Sequence, residues 1–116
     1  MTIDNLLDEL GITPGKWEDG SFVTEFGPMF GVLSSNVKSV SLCGKIYEND
    51  ARESLANAKL IAQSREMLKA LIRSCIDLDN GWLIDETNWF TVGICNIIES
   101  ATGKSWQYIK DRLEDV

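Results

Sequence analysis

No histidine occurs in the chain. Its absence removes the usual general base near neutral pH, the usual orienting partner of a Ser or Cys nucleophile, and the commonest zinc ligand. Cysteine is scarce: Cys43, Cys75 and Cys95 are odd in number and never closer than twenty residues, which excludes CxxC redox and zinc-ribbon spacings. They are expected as reduced thiols acting as small hydrophobes. Cations are the minority charge, 11 Lys and Arg against 18 Asp and Glu, and a net charge of -7 argues against a sequence-blind grip on nucleic acid or an anionic membrane. No apolar run approaches the ~18 residues of a membrane-spanning helix. The opening MTIDNLLDEL carries Asp4 and Asp8 inside its apolar run, so it is read as neither a signal nor a transit peptide. A binding protein is expected rather than an enzyme, with no cofactor.

What remains is enough for one domain, residues 1–116, burying ~65% of its unfolded surface. Thr2 caps a short helix in which Ile3, Leu6, Leu7 and Leu10 follow a 3 to 4 spacing, and Gly11 stops it. Ile12-Thr13-Pro14-Gly15 reads as a turn. From Lys16 to Tyr47 the chain becomes β-branched and aromatic, with runs at Lys16 to Trp17, Ser21 to Phe26, Met29 to Ser34 and Val37 to Tyr47. Gly20, Gly27-Pro28 and Ser35-Asn36 are read as the turns of a three- or four-stranded antiparallel meander. In the last run Val40, Leu42 and Ile46 are expected on the buried face, opposite Ser39, Ser41 and Cys43.

Asn49 or Asp50 caps a helical pattern that persists to Leu78 and ends in Asp79-Asn80-Gly81. Leu60, Ile61, Met67, Leu68, Leu71, Ile72, Cys75 and Leu78 share an arc of roughly 140°, the expected core face. Arg52, Lys59, Arg65, Lys69 and Arg73 are assigned to the opposite face. As one helix this would span ~42 Å against ~35 Å for a compact domain, so it kinks or projects. A projecting end would need a second copy to cover it, which motivates a homo-oligomer. After Gly81-Trp82-Leu83-Ile84, a second long helix is expected from near Asp85 to Gly103, with Phe90, Gly93, Ile94, Ile97, Ile98 and Ala101 on its apolar face. Ser105 caps a last helix carrying Trp106, Ile109 and Leu113. The fold class is α+β: a small antiparallel sheet packed against two long C-terminal helices, with short N- and C-terminal helices.

Motifs for chemistry are weak. Gly103-Lys104-Ser105 lacks the earlier glycine and preceding strand of a phosphate loop, and reads as a helix stop followed by a cap. Asp77, Asp79, Asn80 and Gly81 misplace the glycine of a calcium loop, and Asn88 cannot supply its bidentate carboxylate. The pairs Asp85-Glu86 and Glu114-Asp115 read as solvated. The stripe Arg65, Lys69, Arg73 is by default a solvated face, and functionally an anion site, since guanidinium groups grip phosphate bidentately. Trp89 and Asn96, seven apart, are by default a core-edge aromatic beside a satisfied amide. Functionally they would stack a base and read its edge.

Three stretches resemble a family of small bacteriophage proteins. Ile12-Thr13-Pro14-Gly15-Lys16-Trp17 resembles its TPGPW start, Asn57 to Leu71 resembles NARLIAAAPEMLEAL, and Ala101 to Trp106 resembles the ATGKSWEEI end. The order and spacing agree, over about a quarter of the chain. Lys16 replaces the family's second proline, and Gln63-Ser64-Arg65 replaces Ala-Ala-Pro. The family's proline would break the helix there; here Ser64 can still cap a fresh start, so a kink near Ser64 is expected. The layout also resembles the phage Thoeris anti-defence sponge proteins, which implies binding of cyclic ADP-ribose-type signals, or cyclic oligonucleotides, held uncleaved in pockets of a homo-oligomer. That resemblance implies action in the host bacterial cytoplasm, without membrane or direct nucleic-acid binding. From wheel position, Arg65, Trp89, Phe90 and Asn96 are the candidate ligand contacts; no catalytic or metal-binding residue is assigned. The alternative is a protein-binding inhibitor of a host defence nuclease, anti-CRISPR-like, whose acidic surface mimics nucleic acid.

Overall fold

The computed structural model describes residues 1–35, 39–46, 51–80 and 89–114. Seven elements follow in order: α1 (Ile3–Glu9), β1 (Trp17–Thr24), β2 (Gly27–Ser34), β3 (Ser39–Lys45), α2 (Ala51–Asn80), α3 (Trp89–Thr102) and α4 (Trp106–Glu114). The fold class is α+β, with one three-stranded antiparallel sheet in the order β1-β2-β3. The chain divides into two compact units, a helical one (Met1–Ile12 with Glu66–Val116) and one built on the sheet (Thr13–Arg65). Helix α2 gives its first half to the sheet unit and its second half to the helical unit.

In the helical unit, local signals in the sequence become caps. Thr2 Oγ1 accepts from the Asn5 N–H at 3.1 Å and opens α1. At the other end the Gly11 N–H donates to the Asp8 carbonyl and the Ile12 N–H to the Leu7 carbonyl, each at 3.0 Å. This pairing requires a left-handed residue, which Gly11 supplies at φ 84°. It also turns Ile12 back onto the core that contains Leu7. The stop and restart read at Gly103-Lys104-Ser105 are present: the Gly103 N–H donates to the Glu99 carbonyl at 2.8 Å, and Ser105 Oγ accepts from the Tyr108 N–H at 3.2 Å to cap α4. The core of this unit is Leu6 and Leu7 of α1, Leu68, Ile72 and Cys75 of α2, Ile98 of α3 and Ile109 of α4. Its rim is tied by ion pairs. Arg112 grips Glu9 with Nε and Nη2, and Lys69 joins Asp4 at 3.1 Å and Glu66 at 3.5 Å.

In the sheet unit, β1 and β2 pair along their whole lengths, from Trp17 opposite Ser34 to Thr24 opposite Gly27. Gly20, expected as a turn, lies inside β1 opposite Gly31. The short Lys16-Trp17 run and the Ser21 run are therefore one strand, because eight residues of cross-strand pairing outweigh one residue's local preference. Thr24 closes the hairpin: its Oγ1 accepts from the Phe26 N–H at 3.0 Å and donates to the Gly27 carbonyl at 2.9 Å.

Strand β3 departs from simple alternation. Phe30 and Gly31 face Gly44 and Leu42, while Val32 and Leu33 face Ser41 and Ser39, so Cys43 and Val40 are the extra residues of two bulges. Both pack on the sheet unit's core of Val32, Ala58 and Ala62, whereas Leu42 between them is 45% exposed. The expected partnership of Val40 with Leu42 is thus corrected to Val40 with Cys43. Each inserted residue shifts the two-residue side-chain period by one.

Helix α2 is continuous through Ser64, whose hydroxyl donates back to the Ile61 carbonyl at 2.6 Å instead of starting a new helix. Its buried stripe, Ser54, Ala58, Ala62, Arg65, Leu68, Ile72 and Cys75, is rotated about 80° from the expected face at 100° per residue. Leu60 and Met67, expected inside, are 60% and 45% exposed. The cause lies in the first half, where Val32 packs against the small side chains of Ala58 and Ala62 and the bulkier Leu60 is left outside. Of the two long helices, α2 supplies the residues in the sheet's core; Ile94, Cys95 and Ile98 of α3 belong to the helical core. The expected caps at Asn49 or Asp50, the Gly81-Trp82-Leu83-Ile84 loop and the start near Asp85 lie outside the described residues.

Candidate functional site

The rotation of α2 decides what its cations can do. Arg65 lies about 20° from Ile72 on the helical wheel, close to the centre of the buried stripe, and is 4% exposed. Its assignment to the solvent face is therefore corrected. Nη1 donates at 3.1 Å to the Thr13 carbonyl, which also accepts from the Trp17 indole Nε1 at 3.0 Å. One carbonyl of the Thr13-Pro14-Gly15 turn thus receives both the aromatic that opens β1 and a guanidinium from α2. A buried arginine needs such acceptors, since desolvating the charge without them would be costly.

The rest of the stripe separates. Lys69 is spent on Asp4 and Glu66, and Arg73 stands exposed. Hence Arg65, Lys69 and Arg73 do not form one solvent-facing row of cations. Their i, i+4 spacing advances about 40° per step, enough to carry a residue from a helix's buried stripe to its exposed flank in two steps.

The Asn96 side chain is exposed on α3, in a shallow open depression with Ile97, Ser100 and Ala101. Ile97, expected inside, is 55% exposed, and the small Ser100 and Ala101 leave room beside it. Trp89 and Phe90 open α3, and their side chains lie outside the described part of the structure. Arg65 falls in the sheet unit and the other three candidates in the helical unit.

Helical spacing and strand alternation do not foresee the concavities beside α2. A groove of about 290 Å³ runs between β3 and the first half of α2, lined by Ser41, Leu42, Cys43, Asn57, Leu60 and Ile61. Its sequence signal is the alanine pair Ala58 and Ala62, one turn apart, which marks the close approach and so expels Leu60. The second, about 150 Å³, lies beside the Lys110–Asp79 ion pair, whose Nζ to Oδ2 distance is 2.7 Å, with Ile76, Asn80 and Leu113 completing its wall. Among the described residues, no three His, Cys, Asp or Glu side chains come together as a metal site. No described helix is long and apolar enough to cross a membrane.

In the helical unit the buried Cys75 and the half-buried Cys95 stand with their sulfurs 3.5 Å apart. Burial pushes the Cys75 thiol up to about 12, helped by the Cys95 hydrogen bond and by the nearby charges of Cys95 and Asp79. No protein-family model, curated protein or solved structure matches this chain.

Proposed function

We propose that this chain is a bacteriophage anti-defence protein that binds a cyclic nucleotide immune signal, of cyclic ADP-ribose type or a cyclic oligonucleotide, and holds it uncleaved in a homo-oligomer in the host bacterial cytoplasm. Three motif stretches and the lack of histidine motivate the reading. The observation that carries it is the exposed Asn96 amide beside Ile97, Ser100 and Ala101. An apolar side chain next to small residues accepts the flat face of a base, and an amide with both donor and acceptor reads its edge. Exposure of Leu60 in the sheet unit, and of Met67 and Ile97 in the helical unit, supports the oligomer, because contact with a second copy would remove such side chains from water.

Calorimetry with cyclic ADP-ribose isomers and cyclic oligonucleotides tests the proposal directly. Heat is expected with at least one of them, and chromatography of the released ligand should return it unchanged. Asn96→Ala should weaken that binding by about tenfold, ~1.4 kcal/mol, the scale of one or two hydrogen bonds. No heat with any of these ligands at tens of micromolar protein would sink the proposal; a cleaved product would make the chain an enzyme.

The second reading, a protein-binding inhibitor of a host nuclease, draws on the β1–β2 hairpin. Val23 and Phe26 are 82% and 62% exposed at its tip, next to the exposed Glu25. Apolar anchors beside a carboxylate, in a chain of net charge -7, suit a basic protein surface. Capture of one host protein from lysate, weakened by salt, would favour it.

A further inference from the structure

Cys75 sits on α2 and Cys95 on α3, both within the helical unit, and their sulfurs are in van der Waals contact at 3.5 Å. A disulfide needs ~2.05 Å, so the two must approach by about 1.5 Å more. Their accessibilities differ: Cys75 is fully buried and Cys95 only partly. The third thiol, Cys43, belongs to the sheet unit. A structural pair of small hydrophobes would pack as well through alanine or serine-sized neighbours; two thiols in contact across two helices also carry a reaction.

We propose that Cys75 and Cys95 are a convertible dithiol that closes to an intrachain disulfide between α2 and α3 on reaction with a small-molecule disulfide such as oxidised glutathione. Cys95, the accessible member, attacks as thiolate on one glutathione sulfur; the glutathione S–S bond breaks, and the first glutathione leaves and takes up a proton. Cys75 then gives up its proton and attacks the Cys95 sulfur, breaking the mixed disulfide and releasing the second glutathione. Two protein thiols lose two electrons and two protons, and one small disulfide becomes two thiols.

The groups around the pair set the slow step. At the closure step, with Cys95 already carrying glutathione, Cys75 is still held protonated by burial and by the carboxylate of Asp79, which Lys110 of α4 pairs at 2.7 Å. Closure should therefore be slower than capture by Cys95, and should accelerate by up to about tenfold per pH unit between pH 7 and 9 as the Cys75 thiolate fraction rises.

Incubation of the native, reduced protein with oxidised glutathione, quenching with an alkylating agent and peptide mapping without reductant is the test. The expected product is one pair of linked peptides holding Cys75 and Cys95, lighter by two hydrogens, with Cys43 outside the link. Cys75→Ser should stop at a stable glutathione adduct on Cys95. Closed protein should also unfold at higher urea than reduced protein, since α2 and α3 are then joined. The proposal is overturned if wild-type protein retains glutathione on Cys95 while Cys75 is recovered alkylated after denaturation, if Cys43 is a partner in the link, or if all three thiols are recovered free.

Discussion

At the scale of single residues, Arg65 is the position where helical spacing and packing disagree most. Counted by charge it belongs with Lys69 and Arg73; in the fold it is buried and holds the Thr13 carbonyl together with Trp17. Its replacement by Ala would remove a charge-assisted hydrogen bond and leave space in a buried site. Arg65→Ala should therefore lower unfolding stability by about 2–4 kcal/mol in urea denaturation. An unchanged urea midpoint would mean that the guanidinium is not part of the structural frame. Asn96 makes the opposite case. Exposed on α3, it can be changed to Ala with little effect on stability, so a loss of ligand binding there is interpretable.

At the scale of elements, the paired glycines Gly20 and Gly31 show how differently two positions in one sheet behave. A Cβ at Gly31 would lie 2.5 Å from the Ser41 carbonyl oxygen and 2.8 Å from the Phe22 ring, whereas one at Gly20 would meet nothing within 4 Å. The central strand has β3's backbone on one side and an aromatic over it; β1 is an edge. Gly31→Ala should cost about 1–3 kcal/mol, because the neighbouring backbone must shift to make room. Gly20→Ala should stay within about 0.5 kcal/mol of wild type. Comparable losses at both positions would refute this account of the β1–β2–β3 packing. Bulges at Val40 and Cys43 belong to the same scale, since they choose which side chains of β3 reach the core.

At the scale of the molecule, the described residues form two hydrophobic cores, one of helices and one on the sheet, with α2 contributing to both. Neither core takes in Leu60, Met67 or Ile97. If a second copy covers any of these side chains, purified protein should sediment above monomer mass, and Leu60→Asp in the sheet unit or Ile97→Asp in the helical unit should return it to monomer without lowering the stability of the fold. A wild-type monomer at tens of micromolar would remove the oligomer from the proposed function.

The sequence by itself determined what short-range physics controls. Thr2, Gly11, Gly103 and Ser105 begin or end helices through hydrogen bonds spanning three to five residues, and each acts in the fold as its residue type predicts. The α+β class and the long α2 helix followed from local patterns as well. Only the tertiary structure decided which way α2 faces, that Gly20 continues a strand, and that Cys43 turns inward while Leu42 turns out. Each of those outcomes depends on a neighbour distant in the chain: Val32 against Ala58 and Ala62, Gly31 across from Gly20, and β2 against a β3 bulged at two places. The candidate site was legible to the same extent. Helical spacing put Asn96 at the margin of α3's apolar face, and its side chain is exposed there, but the burial of Arg65 and the contact of Cys75 with Cys95 arise from packing between segments that no local pattern brings together.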